Sequence, residues 1–99
     1  MKIKENEVYT FKLNSGEELI AKVVTEHADH LIISEPVSVA PGPQGMGLVP
    51  SMFTANPKEQ TILNTNSVAI YGLTDENVKA KYIEATTGIT VPSKKLILG

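Results

Sequence analysis

Leu19 to Val24 reads Leu-Ile-Ala-Lys-Val-Val, and as a strand it is apolar on both sides. Side chains alternate between faces along a strand. Leu19, Ala21 and Val23 therefore share one face, and Ile20 and Val24 share the other. Such a strand has to be covered twice. In a chain of 99 residues one cover is the core, and the other is a helix or a neighbouring subunit. A chain of this length is expected to be a single domain over 1–99, burying roughly two-thirds of its unfolded surface. A hydrophobic share of 41% with a charged share of 20% is globular composition and argues against disorder.

The flanking segments supply partners for that strand. Val8 to Leu13 alternates, with Tyr9, Phe11 and Leu13 on one face, and Asn14-Ser15-Gly16-Glu17 carries turn chemistry. His27-Ala28-Asp29 reads as a second tight connection, followed by a short apolar strand from His30 to Ser34. Glu35-Pro36 bends or interrupts it, because proline cannot donate to a ladder. Val37 and Val39 alternate again, and Pro41 to Gly47 reads as a loop by composition. Leu48 to Thr54 is expected as a further strand, with Pro50 marking an edge or bulge. Ile62–Asn64 and Ser67–Tyr71 are two short strand pieces after a polar turn at 56–59.

The period then changes. A helix is expected over about 75–87, with Thr74 as N-cap and acidic residues in the first turn. Val78, Tyr82, Ala85 and Ile89 form its apolar stripe, and Gly88 is its expected stop. The tail, 90–99, either adds a strand or stays loose.

Composition closes several functional classes. There is no cysteine, so disulfides, thiolate metal sites and cysteine nucleophiles are excluded. All nine basic residues are lysine, so the bidentate fork that grips phosphates and guanine edges is absent. A net charge of −2 gives no bulk attraction to nucleic acid or an anionic membrane. The N-terminus lacks the apolar core of a signal peptide, and no apolar run approaches the roughly 20 residues a membrane span needs. A cytoplasmic location is the expectation, with no membrane partner. The glycines at 42, 45 and 47 make no phosphate loop, since no Gly-Lys-Ser/Thr follows.

Short strands at hairpin spacing followed by one helix predict a mainly β fold: a small, strongly bent, five-stranded antiparallel barrel over about 8–73 with a C-terminal α-helix. SH3-like and OB-type barrels both fit. The motif "LNSGEELIAKV" resembles the first motif of Sm and Lsm proteins, carried here by Leu13, Gly16, Leu19, Ala21 and Val23. "VAIYG", Val68 to Gly72, stands in place of their second motif, with Tyr71 where arginine is expected. The ordered set "GEELIAKV", "EPVSV", a Pro/Gly/Met loop and "YIEATTGI" is similar to the Sm-like proteins of marine phages, over about residues 8 to 89. Three departures stand out. The helix follows the sheet, the arginine is missing, and the loop between strands two and three reads Glu26-His27-Ala28-Asp29-His30.

The resemblance implies an Sm-like (SH3-type) barrel and a homo-oligomeric ring of roughly five to seven subunits, closed by head-to-tail pairing of edge strands. It also implies binding of single-stranded RNA or DNA, in the cytoplasm of an infected host cell if the chain is a phage's. Lysine–phosphate contacts and base stacking would carry that binding. The stacking candidates are His27, His30 and Tyr71, of which His30 and Tyr71 stand near the implied base-pocket positions; Asp29 in the same loop joins the candidate set, and Asn66 and Ser67 could supply hydrogen bonds from the turn before the last strand. Each has a structural alternative: the histidines as polar loop residues, Tyr71 as packing. The His-x-Asp-His run has metal-ligand chemistry, but neighbours in one turn seldom converge without further ligands, so neither a metal nor a cofactor is assigned. Asp29 and the two histidines are too local to build a catalytic triad, and Asp75 belongs to the helix start, so no enzyme is expected. The alternative reading is an adaptor ring that binds protein and no nucleic acid.

Overall fold

The computed structural model describes residues 1–87. Its elements are β1 (Val8–Leu13), β2 (Glu18–Glu26), β3 (His30–Gly42), β4 (Gly45–Pro50), β5 (Thr61–Asn64), a 3-10 turn at Thr65–Ser67, β6 (Val68–Leu73) and α1 (Glu76–Thr86). The protein is mainly β, with one antiparallel sheet in the order β4-β3-β2-β1-β6, and β5 also paired to β3. Leu31 pairs with Glu26 of β2 and Leu63 of β5, while Val37 pairs with Ile20 of β2 and Pro50 of β4. Thus β4 and β5 together form one outer edge of the sheet, and β6 forms the other.

Three expectations are corrected here. There are six strands among the described residues, not five, and the sheet is not closed into a barrel. The segment 41–47 is not a loop: Pro41 pairs with Met46 and Gly42 with Gly45, leaving a two-residue turn of Pro43-Gln44. Proline fixes φ near −65° at the first turn position, and Gly45 takes up φ 101° to complete the reversal. The strand expected over 48–54 ends at Pro50, where Ser51 turns its hydroxyl toward Ser38, 3.0 Å away.

Both faces of β2 are covered, as its pattern demands. On one face Tyr9, Phe11, Leu19, Ala21, Val23, Leu31 and Ile33 form the larger core cluster. Residues before β1 help to shield it: Ile3 packs on the cluster, and the Lys4 N–H donates to the Tyr9 hydroxyl at 2.9 Å. On the other face Ile20, Val8 and Val37 pack against Tyr82 and Val78 of α1. The second cover is therefore the helix. Asp75, not Thr74, caps it, accepting from the N–H groups of Asn77 and Val78 at 3.0 and 3.2 Å. Thr74 is buried instead, its hydroxyl 2.9 Å from that of Thr10 on β1. Gly88, Ile89 and the tail 90–99 lie outside the described residues. Among the described residues no helix is long and apolar enough to cross a membrane.

One contact locks helix to sheet. Between Ile20↔Val37 and Lys22↔Ser34 the β2–β3 register slips, with Glu35 at φ 50° and Pro36 inside β3. A bulge leaves ladder groups unpaired. The Tyr82 hydroxyl meets them, donating toward the carbonyls of Ser34 and Glu35 at 3.1 and 3.0 Å and accepting from the Lys22 N–H at 3.2 Å. Burial pushes the Tyr82 phenol up to about 12.

Two outcomes follow for Tyr82. Tyr82→Phe keeps the ring but strands these backbone groups, and urea denaturation is expected to show a loss of about 1–3 kcal/mol. Because the phenol ionises less readily folded than unfolded, its contribution is whole below pH 10 and is lost as pH rises through about 12. Denaturation curves from pH 9 to 12 should show that alkaline loss in the parent protein and a smaller loss in Tyr82→Phe.

Candidate nucleic-acid interface

The β2–β3 turn and the β5–β6 turn meet. His30, the first residue of β3, pairs across the ladder with Asn64, the last of β5. The Thr65 N–H then donates to the Asp29 carbonyl at 3.2 Å. On its other side the 3-10 turn reaches the β1–β2 hairpin: Asn14 N–H donates to the Ser67 carbonyl and Asn14 Nδ2 to the Asn66 carbonyl, each at 2.7 Å. Three separate turns are thereby tied into one polar surface.

Within it His27, Asp29 and His30 have defined geometry. The turn is closed by the His27 N–H donating to the His30 carbonyl at 2.9 Å. The two imidazoles stack, with centroids 4.6 Å apart and planes within 12°. Asp29 Oδ1 lies 2.6 Å from His30 Nδ1, and His27 Nε2 lies 3.1 Å from the Thr25 hydroxyl. The hydrogen bond from His30 holds the Asp29 carboxyl below its usual range, with the His30 charge acting in the same direction. Asp29 is 85% exposed at the side chain and His30 31%, so the site faces solvent with its carboxylate outermost.

The sequence-predicted residues thus divide. His27, Asp29, His30, Asn66 and Ser67 lie on the joined turns. Tyr71 lies four residues farther along β6, about 13 Å at strand rise. Its ring sits 6.4 Å from Tyr9, it packs on the larger core cluster, and its hydroxyl accepts from the Lys2 N–H at 2.7 Å. Asn14, Asn64 and Thr65 join the surface although the sequence reading left them out. The signal for them was the recurrence of Asn at 14, 64 and 66 in turn segments, which gains meaning once the turns are adjacent.

The surface offers flat imidazole faces, amide and hydroxyl groups, and one carboxylate. Among the described residues its hydrogen bonds and ion pairs engage no lysine side chain. No group of three or more His, Cys, Asp or Glu among the described residues is arranged to hold a metal ion. Scanned against models of known protein families the chain matches none, and a search of curated proteins finds no match.

Removing the His30 ring removes the main cause of Asp29's lowered pKa. His30→Ala is expected to move the Asp29 carboxyl titration, followed by NMR, upward toward the ordinary carboxylate value; an unmoved midpoint would show that the Asp29–His30 bond does not form in solution.

Proposed function

We propose that the protein is an Sm-like subunit that assembles head-to-tail into a homo-oligomeric ring and binds single-stranded RNA or DNA on the surface formed by the joined turns. The observation that carries the reading is the character of the two sheet edges. β5 (Thr-Ile-Leu-Asn) and β6 (Val-Ala-Ile-Tyr-Gly-Leu) contain no charged residue and no proline. Natural edge strands are ordinarily blunted by such residues. Ile62 on β5 and Ile70 and Leu73 on β6 are each more than half exposed. A free apolar edge on each side of one subunit suits pairing of β5 with β6 of the next copy, which is a heterologous contact and closes when the rotation permits.

The joined turns support the second half of the proposal. Each subunit contributes stacked imidazoles and amide groups of the kind that accept an unpaired base. Repetition around a ring turns a sparse site into a continuous one. The resemblance of residues 13–23 and 68–72 to the Sm motifs is consistent with this placement.

A second reading has its own observation. A mostly apolar groove runs between β3, β4 and the end of α1, lined by Pro36, Val37, Leu48, Pro50, Met52 and Ala85. Met52 and Phe53 beside it are about half exposed. An adaptor ring binding protein would use such a surface and would need no arginine.

The assembly is tested by native mass spectrometry. The parent protein is expected as a closed oligomer, and Ile62→Lys or Ile70→Lys as folded monomers, since a charge on a paired edge face is strongly unfavourable. A monomeric parent at high concentration overturns the ring. Labelled single-stranded oligonucleotides titrated at low and moderate salt test the ligand. Binding that weakens with salt supports the first reading, and an intact ring that binds none even at low salt favours the second.

A further inference from the structure

The chain contains two histidines, and both are in the candidate interface, stacked on each other. Histidine is the side chain whose charge ordinarily changes between about pH 5 and 8. Both imidazoles of the chain are therefore concentrated at one point of its surface, with the Asp29 carboxylate against His30.

The charges around that point are few. Asp29 sits against His30 at 2.6 Å. Its carboxyl is held ionised by that bond well below neutral pH. On β2, Thr25 is neutral; the Glu26 carboxylate accepts from the Ile3 N–H and lies 3.6 Å from the Met1 ammonium, and the Glu26 backbone N–H donates to the Glu5 carboxylate. β5 and the 3-10 turn present Asn64, Thr65, Asn66 and Ser67, none of which titrates. With neutral imidazoles the His27–Asp29–His30 group carries one negative charge, and with both protonated it carries one net positive charge. Protonation of both imidazoles thus raises the charge of the group by two.

We propose that the stacked His27–His30 pair is a proton-operated switch on phosphate binding: acidification adds positive charge to this surface and strengthens its hold on a single-stranded nucleic acid backbone. The inference rests on the nucleic-acid reading above and adds its regulation. Like charges brought to 4.6 Å repel, so a bound phosphate that bridges the two rings also stabilises their doubly protonated form. Proton uptake and phosphate binding are then coupled in both directions.

The experiment is a fluorescence-anisotropy titration of a labelled single-stranded oligouridylate into the full chain at pH about 8.0 and about 5.5, at equal low ionic strength. Binding is expected to be about tenfold tighter or more at the lower pH. His27→Asn/His30→Asn, which leaves nothing in the chain to titrate as an imidazole, is expected to bind equally at both. His27→Phe/His30→Phe keeps two flat rings without the protons and is also expected to lose the pH dependence, which separates charge from stacking. Circular dichroism and native mass spectrometry check that both variants keep fold and assembly. Equal parental affinity at the two pH values, or pH dependence that survives in the asparagine variant, overturns the switch and leaves the nucleic-acid reading standing. No binding at either pH overturns both.

Discussion

The architecture depends on how the chain meets the backbone groups freed inside β3. β3 runs for 13 residues and serves two different partners on its far side. It bulges at Ser34–Pro36, and the bulge divides it. Its first half pairs with β5 and its second with β4. Bulges bend a strand and increase its twist. They also leave carbonyls and N–H groups without ladder partners, which is tolerable in a buried setting only if something else meets them. The hydroxyl of Tyr82 does so for three groups at once. Its ring meanwhile fills the second core with Ile20 and Val37. One side chain thus holds the helix on the sheet and makes the bend sustainable.

The bend in turn brings three turns together. The β1–β2 and β2–β3 turns lie at opposite ends of β2, yet both hydrogen-bond to the same three-residue 3-10 turn. In a flat sheet a nine-residue strand would hold its ends about 30 Å apart, beyond the reach of three residues. Curvature brings them within it. β4–β5 and β6 remain separate edges of the open sheet, and β5 and β6 are free of charged residues and proline.

The two-sided strand at 19–24 was the most legible feature, because burial on both faces leaves a hydrophobic run that no turn chemistry can imitate. The tight hairpins were legible from Asn14–Gly16 and His27–Asp29 for similar local reasons. The 41–47 segment was not. Its prolines and glycines signal a loop, but Gly45 and Gly47 pair through backbone alone and only Pro43-Gln44 turns. The helix start was blurred by two adjacent good caps. Thr74 lost the role to Asp75 because its hydroxyl is drawn to Thr10, 64 residues away, a contact no local pattern encodes. The site divides on the same line. His27, Asp29 and His30 are neighbours in sequence, so their proximity was legible. The involvement of Asn14 and the engagement of Tyr71 by the Lys2 N–H arise only from tertiary packing.

The absence of arginine shapes what such a surface can do. Arginine gives a phosphate-binding protein a fixed positive charge and a rigid donor fork, independent of pH. A site without it must take positive charge from lysine or from protonated imidazole. Here the group at the joined turns is two imidazoles and a carboxylate, so its charge is conditional rather than fixed. Base stacking is less affected, since a flat ring offers its face whether or not it is protonated. In the proposed recognition of a single strand the two components are therefore separable: ring faces and amide groups are offered in either protonation state, while electrostatic attraction depends on the protons. In the proposed ring that conditional charge is repeated once per subunit, so a small change on one copy is multiplied over the assembly.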